Sequence, residues 1–85
     1  MTFTVTYKPS AEQELADVWT NASDRQAVTV AVSRIDHLLR NNPLQQGEAR
    51  DKNIRVFVER PLAVQFEVHV EDCRVEVLRV RWVGG

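Results

Sequence analysis

Residues 54–83 read IRVFVERPLAVQFEVHVEDCRVEVLRVRWV, and the fold turns on how this stretch divides into strands. Leu62, Val64, Phe66, Val68 and Val70 recur at every second position with Ala63, Gln65, Glu67 and His69 between them, the period-two pattern of a strand with one buried face. The unbroken apolar series predicts a strand at the centre of its layer. Before it, Ile54, Val56 and Val58 alternate with Arg55, Phe57 and Glu59, and the aliphatic set is read as the buried one. After it, Glu71, Asp72 and Cys73 make a short polar reversal, and a third run begins at Arg74. Strands joined by such short connections form an antiparallel meander. The third run changes parity, because Val75 and Val77 share one face while Leu78, Val80 and Trp82 continue the apolar series on the other. Either its middle is buried on both faces, or a bulge near Val77 and Leu78 resets the register; the bulge is the preferred reading. It places Arg79 and Arg81 with Arg55, Phe57, Glu59, Gln65, Glu67 and His69 on the face away from the core. The plain reading of that face is a solvated ladder of cross-strand pairs, each contributing roughly 0.2–1 kcal/mol.

An apolar sheet face needs a cover, and the first half of the chain must supply it. Thr2 to Tyr7, TFTVTY, alternates Phe3, Val5 and Tyr7 against threonines and reads as a strand that Lys8 and Pro9 end. Ser10 then opens S-A-E-Q, a capping box with Gln13, ahead of a helix bearing Ala11, Leu15, Val18, Trp19 and Ala22 at three- and four-residue spacing. Ser23 repeats the device in S-D-R-Q and starts a second helix, whose stripe is Ala27, Val28, Ala31, Val32, Ile35, Leu38 and Leu39. Asn41, Asn42 and Pro43 end it. The stretch NNPLQQGEARDKN that follows is expected to be a polar loop anchored by Leu44, with Arg50 just before the sheet. The expectation is one α+β domain over residues 1–85, in the order β-α-α-β-β-β, with a helical hairpin on one face of a small, mainly antiparallel sheet.

Composition narrows the function classes. An 85-residue chain that is 44% hydrophobic can build one core without disulfide or metal support. Cys73 is its only cysteine, which predicts no intramolecular disulfide and fits a reducing compartment. Met1 leads into a polar alternating segment rather than a signal peptide, and no apolar run is long enough to cross a bilayer. A cytoplasmic protein with no membrane partner is expected. A net charge of -1 argues against strong direct nucleic-acid binding, which draws most of its affinity from neutralising phosphates. His37 and His69 show no ligand spacing with Cys73, so no metal and no cofactor are expected. His69, on the helix-free face with Glu67, is a candidate general base, although most surface histidines are simply solvated. Trp19 and Trp82 are read as core or sheet-edge packing ahead of stacking platforms for bases, with Trp82, at the open end of the last strand, the better stacking candidate of the two.

The order strand, helix, helix, three strands comes together with Y-K-P-S-A-E-Q-E-L-A-D-V-W from Tyr7, N-N-P and G-E-A-R in the loop, R-P-L-A-V-Q-F-E-V from Arg60 and V-E-V-L-R-V-R-W from Val75. In this the whole chain resembles the RelE/ParE superfamily of toxin–antitoxin toxins, also called the plasmid stabilisation family. The resemblance implies a small toxin neutralised by a cognate antitoxin. RelE-like members cleave messenger RNA on the ribosome, and ParE-like members act on DNA gyrase. Carried onto this chain, the RelE pattern matches basic positions at Arg55 and Arg81. It finds Phe57 where a second basic residue would stand, Ala63 in place of an arginine, and Trp82 where histidine is common. Cleavage needs a base for the 2′-hydroxyl, cations for the phosphorane and an acid for the leaving oxygen. If the chain is a ribonuclease, Arg55, Arg81 and His69 are its catalytic candidates. The incomplete set favours the gyrase-directed branch, with Arg50, Arg79 and Trp82 as binding candidates. A divergent, non-toxic binding module is the third reading.

Overall fold

The computed structural model describes residues 2–84; Met1, from which the absence of a signal peptide is expected, and Gly85 lie outside them. β1 (Thr4–Tyr7) leads into α1 (Pro9–Asn21) and α2 (Arg25–Asn41); a 3-10 turn at Pro43–Gln45 and a short strand β2 (Glu48–Ala49) follow. The meander is β3 (Ile54–Glu59), β4 (Leu62–His69) and β5 (Arg74–Trp82). The sheet order is β1-β5-β4-β3-β2, antiparallel except for the parallel pair β1–β5. β4 is central, as its pattern predicts, and Leu62, Val64, Phe66 and Val68 are all buried. Ala11 of α1 and Val28, Ala31, Ile35 and Leu39 of α2 join them in one core with Val75, Val77 and Val80, so both helices lie on the expected surface. Val70 is not part of that face; β4 ends at His69 and Val70 is exposed in the turn.

The helix starts differ by a residue or two from the capping-box reading. Lys8 is the N-cap of α1 and Pro9 opens it, because a proline's fixed φ suits the first helical position and its missing amide costs nothing there. Asp24, not Ser23, caps α2 by accepting from the Ala27 amide at 3.1 Å, a carboxylate at the positive end of the helix dipole. Arg25 closes α1 from outside: its Nε donates to the Trp19 carbonyl at 3.1 Å, and its guanidinium lies 4.7 Å from the exposed Trp19 ring. The loop is anchored by buried Pro43 rather than by Leu44, which is exposed.

β3 presents the opposite face from the one expected. Its buried residue is Phe57, which meets Phe66 edge to face at a centroid distance of 5.8 Å, whereas Val58 is 53% exposed. The cause is the turn Arg60–Pro61. It sets Glu59 opposite Leu62, Phe57 opposite Val64 and Arg55 opposite Phe66, and directly opposed residues share a face. Arg55, Phe57 and Glu59 therefore lie on the helix side, while Ile54, Val56 and Val58 join Ala63, Gln65, Glu67 and His69 on the open side. The predicted bulge in β5 is present. Phe66 pairs with Val77 and Gln65 with Arg79, leaving Leu78 as the extra residue and returning Val80 to the core.

Candidate functional site

The open face divides along its length. Toward the β4–β5 turn, His69 is paired with Arg74 and Glu67 with Glu76; toward the other end, Gln65 is paired with Arg79 and Ala63 with Arg81. From Ala63 to His69 is six residues of extended chain, about 20 Å. Arg81 and His69 thus stand at opposite ends of one strand pair and cannot act on one substrate atom.

Arg55 is removed from both. On the helix side, its Nε donates to the Gln46 carbonyl at 2.8 Å and its Nη2 to the Gly47 carbonyl at 3.2 Å, so the guanidinium clamps the loop to β3. Glu59, on the same face, reaches Arg34 of α2 at 3.2 Å. Both charged residues of this strand face are engaged in holding the fold. The same loop needs a glycine at Gly47, where φ is +63° and a Cβ would collide with the Val56 carbonyl oxygen and the Phe57 Cβ.

Arg79, Arg81 and Trp82 all lie in the second half of β5, but Arg79 and Arg81 stand opposite Gln65 and Ala63 on the open face while Trp82 stands opposite Leu62 on the helix side. β1 ends beside Val77, whose carbonyl accepts from the Lys8 amide at 2.9 Å, and from there α1 takes over the strand's flank. Glu14 of α1 accepts from the Val80 amide at 3.0 Å and from Arg79 Nη2 at 3.2 Å, satisfying an edge donor that β1 no longer covers. The Val80 amide bond, and then the Arg79 and Arg81 charges, hold the Glu14 carboxyl below the ordinary carboxylate range. Arg79 is thereby occupied, whereas Arg81 is exposed and makes no ion pair among the described residues. Trp82 is half exposed and lines a shallow groove of about 440 Å³ with Asp17, Val18 and Ala22. Arg50 stands apart at the β2–β3 turn, 3.8 Å from Glu48. Of the three binding candidates, then, Arg79 and Trp82 share the end of one strand but face opposite sides of the sheet, and Arg50 lies apart from both.

Glu14 gave no sign of this role in the sequence; it reads there as one more acid on the outer side of a helix. A second groove, about 700 Å³, runs between the helices and β1, lined by Val5, Tyr7, Leu15, Trp19, Val28 and Val32. Burial, and then the Asp36 charge, push the Tyr7 phenol above its ordinary range, so it stays a neutral donor there.

No known family profile matches the chain, and neither does any curated protein. Solved structures do. The RelBE2 toxin–antitoxin complex of Mycobacterium tuberculosis superposes with a TM-score of 0.75 at 18% identity, over 96% of this chain and 92% of that one. The chromosomal ParDE system of P. aeruginosa gives 0.71 at 18%, over 96% and 97%. The isolated E. coli RelE toxin gives 0.69 at 13%, over 98% and 86%. The chain has the RelE/ParE toxin fold. At these identities the likeness is one of fold, and RelE-like and ParE-like structures share it equally well. Among the described residues of this RelE/ParE-like domain, no helix is long and apolar enough to cross a membrane.

Proposed function

We propose that the chain is the toxin of a type II toxin–antitoxin pair, held inactive by a cognate antitoxin, and that it acts by contact with a protein target such as DNA gyrase. The observation that carries the second part is the dispersal of the ribonuclease candidates: Arg55 is bound to loop carbonyls on the helix side, and His69 and Arg81 occupy opposite ends of the open face. Phosphoryl transfer to the 2′-hydroxyl demands base, acid and cation within hydrogen-bond reach of one phosphate. The open face also mixes signs with an apolar strip, Ile54, Val56 and Val58 beside Ala63, which suits a protein surface better than a phosphate backbone. For the antitoxin, support comes from two of the similar structures being toxin–antitoxin complexes, and from the apolar groove beside β1, where a partner's side chains could be buried.

The test is induced expression without an antitoxin, with growth, transcript ends and gyrase supercoiling read in parallel. Arrested growth, intact messages and loss of supercoiling are expected, and Arg81→Ala with Trp82→Ala should relieve the arrest. Messages cut on the ribosome would establish the ribonuclease reading instead. Unimpaired growth would leave the non-toxic binding module.

A further inference from the structure

The end of the open face nearest the β4–β5 turn has a problem of its own. Glu67 and Glu76 are directly opposed across β4 and β5, an arrangement of like charges that destabilises an antiparallel pair. Arg74, the cation beside them, is opposite His69 and makes no ion pair with either carboxylate among the described residues. His69 follows Glu67 by two positions and so projects from the same face. Its Nε2 is out of contact with solvent and forms no hydrogen bond among the described residues, although Glu67 Oε1 is only 3.2 Å away. The two groups are within ion-pair distance without a hydrogen bond between them. A ring nitrogen out of contact with solvent and without a hydrogen bond, next to two opposed carboxylates that no lysine or arginine pairs among the described residues, needs an explanation.

We propose that Glu67, His69 and Glu76 form a binding site for a single divalent transition-metal ion, with Zn²⁺ the best fit. One ligand atom from each lies within 4.8 Å of the other two. Zinc bonds of about 2.0–2.2 Å in a tetrahedron set ligand atoms about 3.3–3.6 Å apart, so small side-chain rotations close the site. One imidazole and two carboxylates make a donor set for zinc and its first-row neighbours; magnesium and calcium prefer oxygen alone. Three protein ligands leave a fourth position for water or for a partner's side chain. The ion would relieve the Glu67–Glu76 repulsion and pin the β4–β5 turn. The site is remote from Arg81 and Trp82, so it stands or falls independently of the proposed target.

The experiment is equilibrium dialysis of the chelator-stripped chain against zinc chloride, with ring resonances of both histidines followed by NMR. Expected are one ion per chain, a shift of the His69 ring with the His37 ring unmoved, and a higher melting temperature in zinc. His69→Ala and Glu76→Ala should each weaken binding by about tenfold or more, given that even outer-shell changes cost about 10–100-fold. His37→Ala should leave binding as it was. All three residues are on the surface layer, and a far-ultraviolet dichroism spectrum confirms that each variant folds. Absence of stoichiometric zinc, undiminished binding in Glu76→Ala, or a shift at His37 instead of His69 would each overturn the assignment.

Discussion

Beyond β3 the sheet is closed by backbone, with Gly47 pressed against Val56 and Phe57, whereas beyond the second half of β5 it is closed by a side chain, the Glu14 carboxylate on the Val80 amide. Both devices cover strand edges that would otherwise invite another chain. They differ in what they leave over. On the β3 flank the arginine and glutamate of the covered face are spent on the loop and on α2. On the β5 flank one acid satisfies an amide and one arginine, and Arg81 and Trp82 remain exposed. Backbone closure makes a flank whose charges are structural; side-chain closure leaves Arg81 without an ion pair among the described residues.

The sharpest way to break this contrast is at Gly47. Gly47→Ala must hold a left-handed residue and also displace β3 backbone, and a loss of about 1–3 kcal/mol is expected in urea unfolding. A change within about 0.5 kcal/mol would mean that the loop does not press on β3 as described. Next is Arg55→Met, which keeps the apolar stem and removes both carbonyl contacts. A loss of about 1–2 kcal/mol is expected, discounted for partial exposure. Arg55→Lys should recover little of it, because an ammonium cannot span two carbonyls as the planar fork does. If Arg55→Met instead abolished the proposed growth arrest at unchanged stability, the residue would belong to a functional site after all.

The two flanks were also unequally legible. β4 could be read from its own alternation, and the β5 bulge from the parity change between Val77 and Leu78, because each signal lies within one strand. β3 misled for the same reason: Ile54, Val56 and Val58 outnumber the lone Phe57, yet parity is decided by the partner strand. The signal was present in the two-residue turn Arg60–Pro61, which sets Glu59 opposite Leu62 and so forces Phe57 inward. Counting across the turn from His69 to Arg74 would likewise have brought Glu76 to Glu67. Helix starts slipped because Lys8-Pro9 and Ser23-Asp24 each offer more than one competent cap. Glu14 on the Val80 amide had no signature at all, since a helix-to-strand contact 66 residues apart leaves no trace in local spacing.

That contact gives the smallest effect and the most discriminating one. Glu14 has its carboxyl held down first by the Val80 amide and then by Arg79 and Arg81, so its folded pKa lies below its unfolded one. A carboxylate of this kind contributes stability in full above the ordinary range, about 4.3, and the contribution fades as pH falls through the folded value. Glu14→Gln should therefore lose about 0.5–1 kcal/mol near neutrality, and the gap from the natural chain should narrow progressively below about pH 4. Salt should shrink only the share owed to Arg79 and Arg81, because a hydrogen bond to a backbone amide is short-ranged while surface charge pairs are screened. Unfolding curves across pH and ionic strength distinguish the cases. A gap that stays constant into acid would mean that Glu14 holds α1 by its stem and not by its charge, and the β5 flank would then be closed by packing like any other.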